Sequence, residues 1–475
     1  MIEPSVPAQA PASASAQEAK PSAKPRLSTA LYQSVWRWHF YAGLLFAPFL
    51  IILALSGGLY LFKPQIEGML YKDMLTVQDT GAARLTPEAL IAKTERAYPG
   101  TSISSMTFSD HPNETVKMSA TRNGQALTLY ADPYNGQLTG TLVNDSTFAA
   151  VVKKIHSQLL VGGTWANRLV ELAACWAIIL VATGLYLWWP RGKSSIWGTL
   201  LPRRSRVGSR QFWRDLHAVP AFWLSLLILV LIASGLPWSG VLGAQIDRLA
   251  NSTHSNYPPY ALSFLPGPES TTILTQDIAD DIPWATQNLP VPASMPGNYV
   301  RQEMNAIVQV ADAQNVRKPY TISLPRGEQG VYTIATSHTR PGHNATLHVD
   351  QYSGAVLTDV RFAQYGLMAK AITLGIAFHE GRLFGLANQL LGLLVCIGIV
   401  LIAVSSFFMW RKRKPQGKSG APAAAKLKTA RFGVLAILLV CGAVMPLVGL
   451  SILAVLLAEL LVLRRIKPIK RWLSL

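Results

Sequence analysis

Four of the nine histidines, His39, His156, His217 and His379, stand at the ends of long apolar runs, where an ionisable group is costly to keep and usually functional. An imidazole placed there can bind a metal through a neutral nitrogen, pass a proton, or anchor a helix by a hydrogen bond. Their spacing is not random. His39 precedes Ser56-Gly57 by 17 positions and His217 precedes Ser234-Gly235 by the same interval, each just after a Trp-Arg pair, Trp36-Arg37 or Trp213-Arg214. His156 and His379 lie in IHSQLLVGGTWAN and FHEGRLFGLAN, upstream of Ala166-Asn167 and Ala387-Asn388. One interfacial histidine is more often an anchor than a ligand; four at matched positions form two pairs, one at each of two levels.

The elements that must hold these residues are membrane helices. Half of the 475 residues are hydrophobic and only 14% are charged, which excludes an ordinary soluble chain of this length. A bilayer core of roughly 30 Å needs about 20 apolar residues, and Phe40 to Phe62, Leu169 to Trp189, Val219 to Val241 and Leu386 to Trp410 each meet that. The region 432–463, broken by Pro446 near Gly449, is too long for one span and reads as a helical hairpin. Residues 1–28, rich in Pro, Ala and Ser, read as a disordered tail rather than a signal peptide. All three cysteines fall inside apolar runs, so disulfides and thiolate metal sites are not expected.

The net charge of +18 is a topology signal. Basic residues crowd the segments 190–217 and 411–431 and both termini, whereas the long segments 63–155 and 242–370 are nearly balanced. Lys and Arg gather on the cytoplasmic side, so both termini are expected inside and the two long segments outside. A high pI explained in this way no longer argues for nucleic acid as a partner. No nucleophile elbow, phosphate loop or zinc-protease signature is present.

The second and fourth spans repeat each other: Cys175 and Cys396 follow the two Asn residues at equal offsets, and Trp189 and Trp410 close the spans at equal offsets. The outer segments repeat too. VKMSATRNGQALTLYADPYNGQLTGTL and GVYTIATSHTRPGHNATLHVDQYSGAVLTDV each read as strand, tight turn and strand around Asp132-Pro133-Tyr134-Asn135-Gly136 or Asp350-Gln351-Tyr352-Ser353-Gly354. A capped amphipathic helix, 85–98, precedes the first. The expected fold is a mainly α-helical polytopic membrane protein, internally duplicated as span (29–62), α+β outer domain (63–155), span with its preceding histidine helix (156–189), then span (218–241), outer domain (242–370) and span with its histidine helix (371–410). The hairpin 432–463 and a tail, 464–475, follow.

With the D-x-Y-x-G turn after a helix, and two such domains set between paired spans, the chain from Trp36 to Arg413 resembles the PepSY-associated transmembrane family. The resemblance implies a bacterial inner-membrane protein, and for some members a ferric-siderophore reductase holding two b-type haems. The residues carry the same chemistry independently. A haem iron needs an imidazole on each face, an apolar slot and cations for its propionates, and His39 with His217, and His156 with His379, supply one such set at each membrane surface. Arg37 and Arg214 at the inner level, and Arg168 and Arg382 at the outer, are propionate partners or ordinary snorkelling cations. The leading expectation is an oxidoreductase passing electrons from an unidentified donor, quinol or a cytoplasmic reductant, to a ferric siderophore outside. The alternatives are a haem-free PepSY protein that binds peptides or a partner as inhibitor or sensor, and a siderophore or metal permease. Gly57, Gly58, Gly184 and Gly235 serve either helix packing or cofactor approach, and Glu171 and Glu459 serve as proton carriers or structural hydrogen bonders. His338, His343 and His348 are expected on the surface, on alternating strand faces.

Overall fold

Three of the four long apolar runs fold as helices that begin before the runs do, and the fourth starts with its run at Leu386. The computed structural model describes residues 27–190, 195–257, 269–297, 299–337, 340–422 and 428–463, with 465–466, 468–469 and 472; the tail 1–26 and His338 lie outside the described residues. α1 spans Leu27–Leu61, with Leu45, Ile52, Leu55 and Leu59 exposed on one face and Ala42, Phe46, Ala54 and Ser56 buried on the other. That division is what a helix between lipid and protein requires. α2 (Lys63–Leu70) and α3 (Lys72–Leu75) lead to α4 (Pro87–Ala97), capped by the Thr86 hydroxyl accepting from Ala89 N–H.

Then come β1 (Thr101–Phe108), β2 (Val116–Arg122), β3 (Gln125–Ala131) and β4 (Leu138–Val143). The first alternating run is therefore two strands rather than one: Asn123 and Gly124 both take positive φ, 50° and 76°, the conformation that Asn-Gly favours in a two-residue hairpin. α5 (Phe148–Gln158) and α6 (Gly163–Trp188) complete the first half. α7 covers Arg210–Gly235, because the Ser209 hydroxyl caps it by accepting from Phe212 N–H at 3.1 Å. The cap carries the helix eight residues ahead of its expected start at 218, so Arg210, Arg214 and His217 ride on it. α8 (Leu242–Ser252) follows.

β5 (Glu269–Leu274), α9 (Thr275–Ile278) and β6 (Pro290–Pro292) form a small insert before α10 (Met304–Ala313) and the strands β7 (Tyr320–Ser323), β8 (Val331–Thr336), β9 (Ala345–Asp350) and β10 (Val356–Arg361). α11 (Leu367–His379) and α12 (Leu386–Arg413) match α5 and α6 in position. α13 (Lys428–Val444) and α14 (Pro446–Ala458) turn back on each other at Met445, where Gly442 and Gly449 bring the two backbones into contact. Among the described residues, five helices are long and apolar enough to cross a bilayer, and α13 contributes a shorter apolar stretch. The chain is a multi-pass, mostly helical membrane protein.

The two outer segments do not form separate sheets. Four strands from each make one eight-stranded antiparallel sheet, ordered β10-β9-β8-β7-β1-β2-β3-β4. The joint is β1 against β7, with Met106 opposite Ile322 and Thr107 opposite Thr321, whose hydroxyls are 2.9 Å apart. One face buries Met106, Met118, Leu129, Ile322, Ile334 and Leu347 against Leu90 of α4 and Ile307 of α10.

The other face of β8 and β9 corrects the expectation for His348, which is fully buried rather than on the surface. The insert 275–289 covers it: Thr275 Oγ1 donates to Leu289 O at 2.8 Å and lies 3.1 Å from His348 Nε2, while Thr333 Oγ1 lies 3.1 Å from Nδ1. With its proton committed to Leu289, Thr275 accepts from Nε2–H, and Thr333 donates to Nδ1. The neutral ring is satisfied on both sides and burial pulls its pKa from 6.5 down to about 3. Between those values the unfolded chain binds a proton that the folded chain refuses. Stability therefore falls as pH drops below about 6.5, by at most about 1.4 kcal/mol per pH unit. His348→Gln is expected to flatten that acid limb of the thermal unfolding midpoint in detergent. A limb of unchanged slope would assign the sensitivity to another group.

Candidate functional site

Each histidine is carried by one helix and seated on another. α5 lays His156 against α1, and α11 lays His379 against α7. The chain turns sharply after each: Leu159, Leu160, Gly162 and Gly163 take positive φ between α5 and α6, and Gly381 and Gly385 between α11 and α12. His39 of α1 is seated on α6 at Thr183, and His217 of α7 on α12 at Ile402.

The seating brings the four rings into two pairs, as their spacing predicts. His39 and His217 have ring centroids 6.4 Å apart and planes at 82°; His156 and His379 are 6.2 Å apart at 70°. All four line one continuous cavity of about 1760 Å³ running between the helices toward the sheet. That exceeds the range of about 300–1,000 Å³ usual for one ligand.

Donor accounting fixes which nitrogen of each ring carries the proton. His156 Nδ1 lies 3.1 Å from Leu53 O, His379 Nδ1 2.8 Å from Leu231 O and His217 Nδ1 2.9 Å from Ile402 O. A carbonyl only accepts, so each of these Nδ1 atoms carries the proton. His39 Nδ1 is 2.9 Å from Thr183 Oγ1, whose own proton goes to Ile179 O at 2.6 Å, so this ring donates as well. All four rings thus keep a lone pair on Nε2, the arrangement by which ligating histidines are held at metal sites.

The pairs fit a metal between them. Imidazole nitrogens bind metals at about 2.0–2.1 Å, and the ring centre lies about 1.1 Å behind, so two rings on opposite sides of one ion stand about 6.2–6.4 Å apart. Both observed separations fall in that interval. Space beside the rings comes from glycines: a Cβ would meet His156 Cε1 at 3.2 Å from Gly57, His379 Cε1 at 2.9 Å from Gly235 and His39 Cε1 at 3.4 Å from Gly184. Gly58 faces Cys396 and Leu393 of α12 instead, which is helix packing.

The arginines are sorted less simply. Arg214 lines the end of the cavity away from the sheet, joined by Arg210 and Arg413, and Arg382 lines the sheet end. Arg382 is engaged by Glu380 at 2.5 Å, which gives that carboxylate a role its sequence context leaves open. Arg37 reaches Pro422 O at 2.8 Å and lies off the cavity wall. Arg168 also lies off it, crossing Gly240 so closely that any side chain there would collide with the guanidinium. It holds Asn167 Oδ1 and pairs with Glu171 at 3.7 Å.

Glu171, buried, accepts from Val241 N–H and Leu242 N–H at 2.9 and 2.7 Å and so caps α8. Arg413, stacked over Trp36 and Phe40 at 4.9 and 5.1 Å, was hidden in the sequence by the basic run in which it lies, 411–414. Trp238 stands beside His379 with centroids 6.0 Å apart.

A family model described as the PepSY-associated TM region matches residues 36–413. Comparison with curated proteins finds no match.

The glycine distances make a paired prediction. Gly→Ala in a helix interior gains up to about 1 kcal/mol from propensity, and at Gly184 the added carbon meets only ordinary contact, so Gly184→Ala is expected to hold or raise the thermal midpoint. At Gly235 the 2.9 Å clash with His379 outweighs that gain, and Gly235→Ala is expected to lower it. Equal effects would mean that the ring does not press on Gly235.

Proposed function

The chain belongs to the PepSY-associated transmembrane family, and we propose that it is a membrane oxidoreductase holding two b-type haems, each between one pair of histidines. The observation that carries this reading is the repeated pair of imidazoles, each protonated on Nδ1 and so with its lone pair on Nε2, with ring centroids 6.2 and 6.4 Å apart in one cavity. When bound, the haems supply two one-electron couples at two depths of the membrane. The repeated contacts support reading the chain as two copies of one unit: Leu53, Ser56 and Gly57 surround His156 as Leu231, Ser234 and Gly235 surround His379.

The other residues have roles that follow from their chemistry. The helices that wall the cavity exclude water from the ligands. Arg210, Arg214 and Arg413 offer positive charge to carboxylates at the end away from the sheet, and Arg382, oriented by Glu380, offers it at the sheet end. The basic loops support reading the sheet as outside and the His39/His217 level as inside. A donor on the inner side, a quinol or a cytoplasmic reductant, gives up electrons there. Outside, ferric iron in a siderophore accepts one and becomes ferrous, which hard oxygen ligands hold less tightly.

Protein purified in detergent from a haem-sufficient host is expected to show a haem spectrum that changes on adding dithionite, with two haems per chain. His217→Ala and His379→Ala are each expected to lose one haem and keep the other. Absence of any reducible band, or loss of both haems from one substitution, would refute the reading.

A further inference from the structure

Three of the four histidines sit in the same small device. Ser56-Gly57, Thr183-Gly184 and Ser234-Gly235 each place a hydroxyl against an imidazole Nδ1, at 3.1, 2.9 and 3.2 Å, and follow it with a glycine that leaves room for the ring edge. In each, the hydroxyl proton is spent on a carbonyl of its own helix one turn back: Ser56 to Ile52 O, Thr183 to Ile179 O, Ser234 to Leu231 O. The hydroxyl is left as an acceptor. The fourth histidine has no such socket, since the residues of α12 at the offset of Thr183-Gly184 from Cys175 are Val404-Ser405. Among the described residues, His217 Nδ1 is held by Ile402 O alone.

We infer that Ser56, Ser234 and Thr183 are positioning residues that tune as well as orient their histidines, and that the sheet-side centre is the more reducing of the two. The inference rests on the haem reading above. Each acceptor facing Nδ1–H draws that proton outward, makes the imidazole a stronger donor through Nε2, and so favours the oxidised metal. On the sheet side both histidines face a hydroxyl and a carbonyl, four acceptors in all. On the opposite side one histidine faces a hydroxyl and the other a carbonyl, two in all. More acceptors stabilise the oxidised form more and lower the potential. An electron reaching the sheet side is thereby raised in reducing power where it meets its acceptor.

The test is a potentiometric titration of full-length protein followed by its visible spectrum, with haem counted separately as the pyridine complex. Two one-electron couples are expected in the unsubstituted protein, and the lower should be the one missing from His379→Ala. Ser56→Ala and Ser234→Ala should each favour reduction of the lower couple about tenfold, which is about 59 mV for one electron, and leave the upper couple in place. Thr183→Ala should move only the upper couple, and Thr183→Ser should restore it. If Ser56→Ala holds a single haem, Ser56→Thr, which keeps the hydroxyl at that position, should hold both. The inference is overturned if His217→Ala removes the lower couple, if the alanine variants leave both potentials unmoved, or if threonine fails to recover a lost haem. A protein with no haem at all overturns the underlying reading, which the haem count shows apart from the potentials.

Discussion

The structure depends on a hydrogen bond from an imidazole Nδ1–H to the backbone or hydroxyl of a neighbouring membrane helix. In hydrocarbon such a donor cannot be left to solvent, so each of the four histidines must find a partner on another helix. In doing so it ties α5 to α1, α11 to α7, α1 to α6 and α7 to α12. The bond that fixes each ring is thus also a bond between helices. It leaves the lone pair on Nε2 in every case, so helix assembly and the choice of the ligating nitrogen are one requirement.

Outside the bundle, the eight-stranded sheet performs the matching task for the two halves. β1 and β7 come from segments more than two hundred positions apart, yet they pair in register from Ser105 with Ser323 to Phe108 with Tyr320. α1 feeds the first four strands and α7 the second four. A shift between the halves at the sheet would therefore be felt at the spans that carry His39 and His217. The shared core beneath, with Leu90 and Ile307 among the strand residues, makes such a shift costly, because buried side chains would lose their fitted neighbours.

Much of this was legible in the chain itself, for reasons that can be named. The histidine pairs were readable because a helix converts a 17-residue interval into a fixed height, so equal intervals on two helices mean equal depth. Apolar length revealed the spans. Other features depend on partners that no local pattern announces. His348 reads as an exposed strand residue until the insert 275–289 closes over it. Arg168 reads as a cation near a cofactor until Gly240 and Glu171 are seen to occupy it. The start of α7 turned on a single capping serine, and the Asn123-Gly124 hairpin was a plain signal masked by the longer alternation around it.

The distance between the two levels has an electrical meaning. His39 and Ser56, which marks the depth of His156, lie 17 residues apart on α1, about 25 Å along a helix in a hydrocarbon layer of about 30 Å. On the proposed reading, a charge passing between the histidine pairs crosses nearly the whole insulating thickness of the membrane, and no proton need accompany it. An electron moving outward from a negative interior gains about 2.3 kcal/mol for each 100 mV. The cell's own voltage would then help to drive reduction outside, and the protein would act as a conductor whose current draws down the membrane potential.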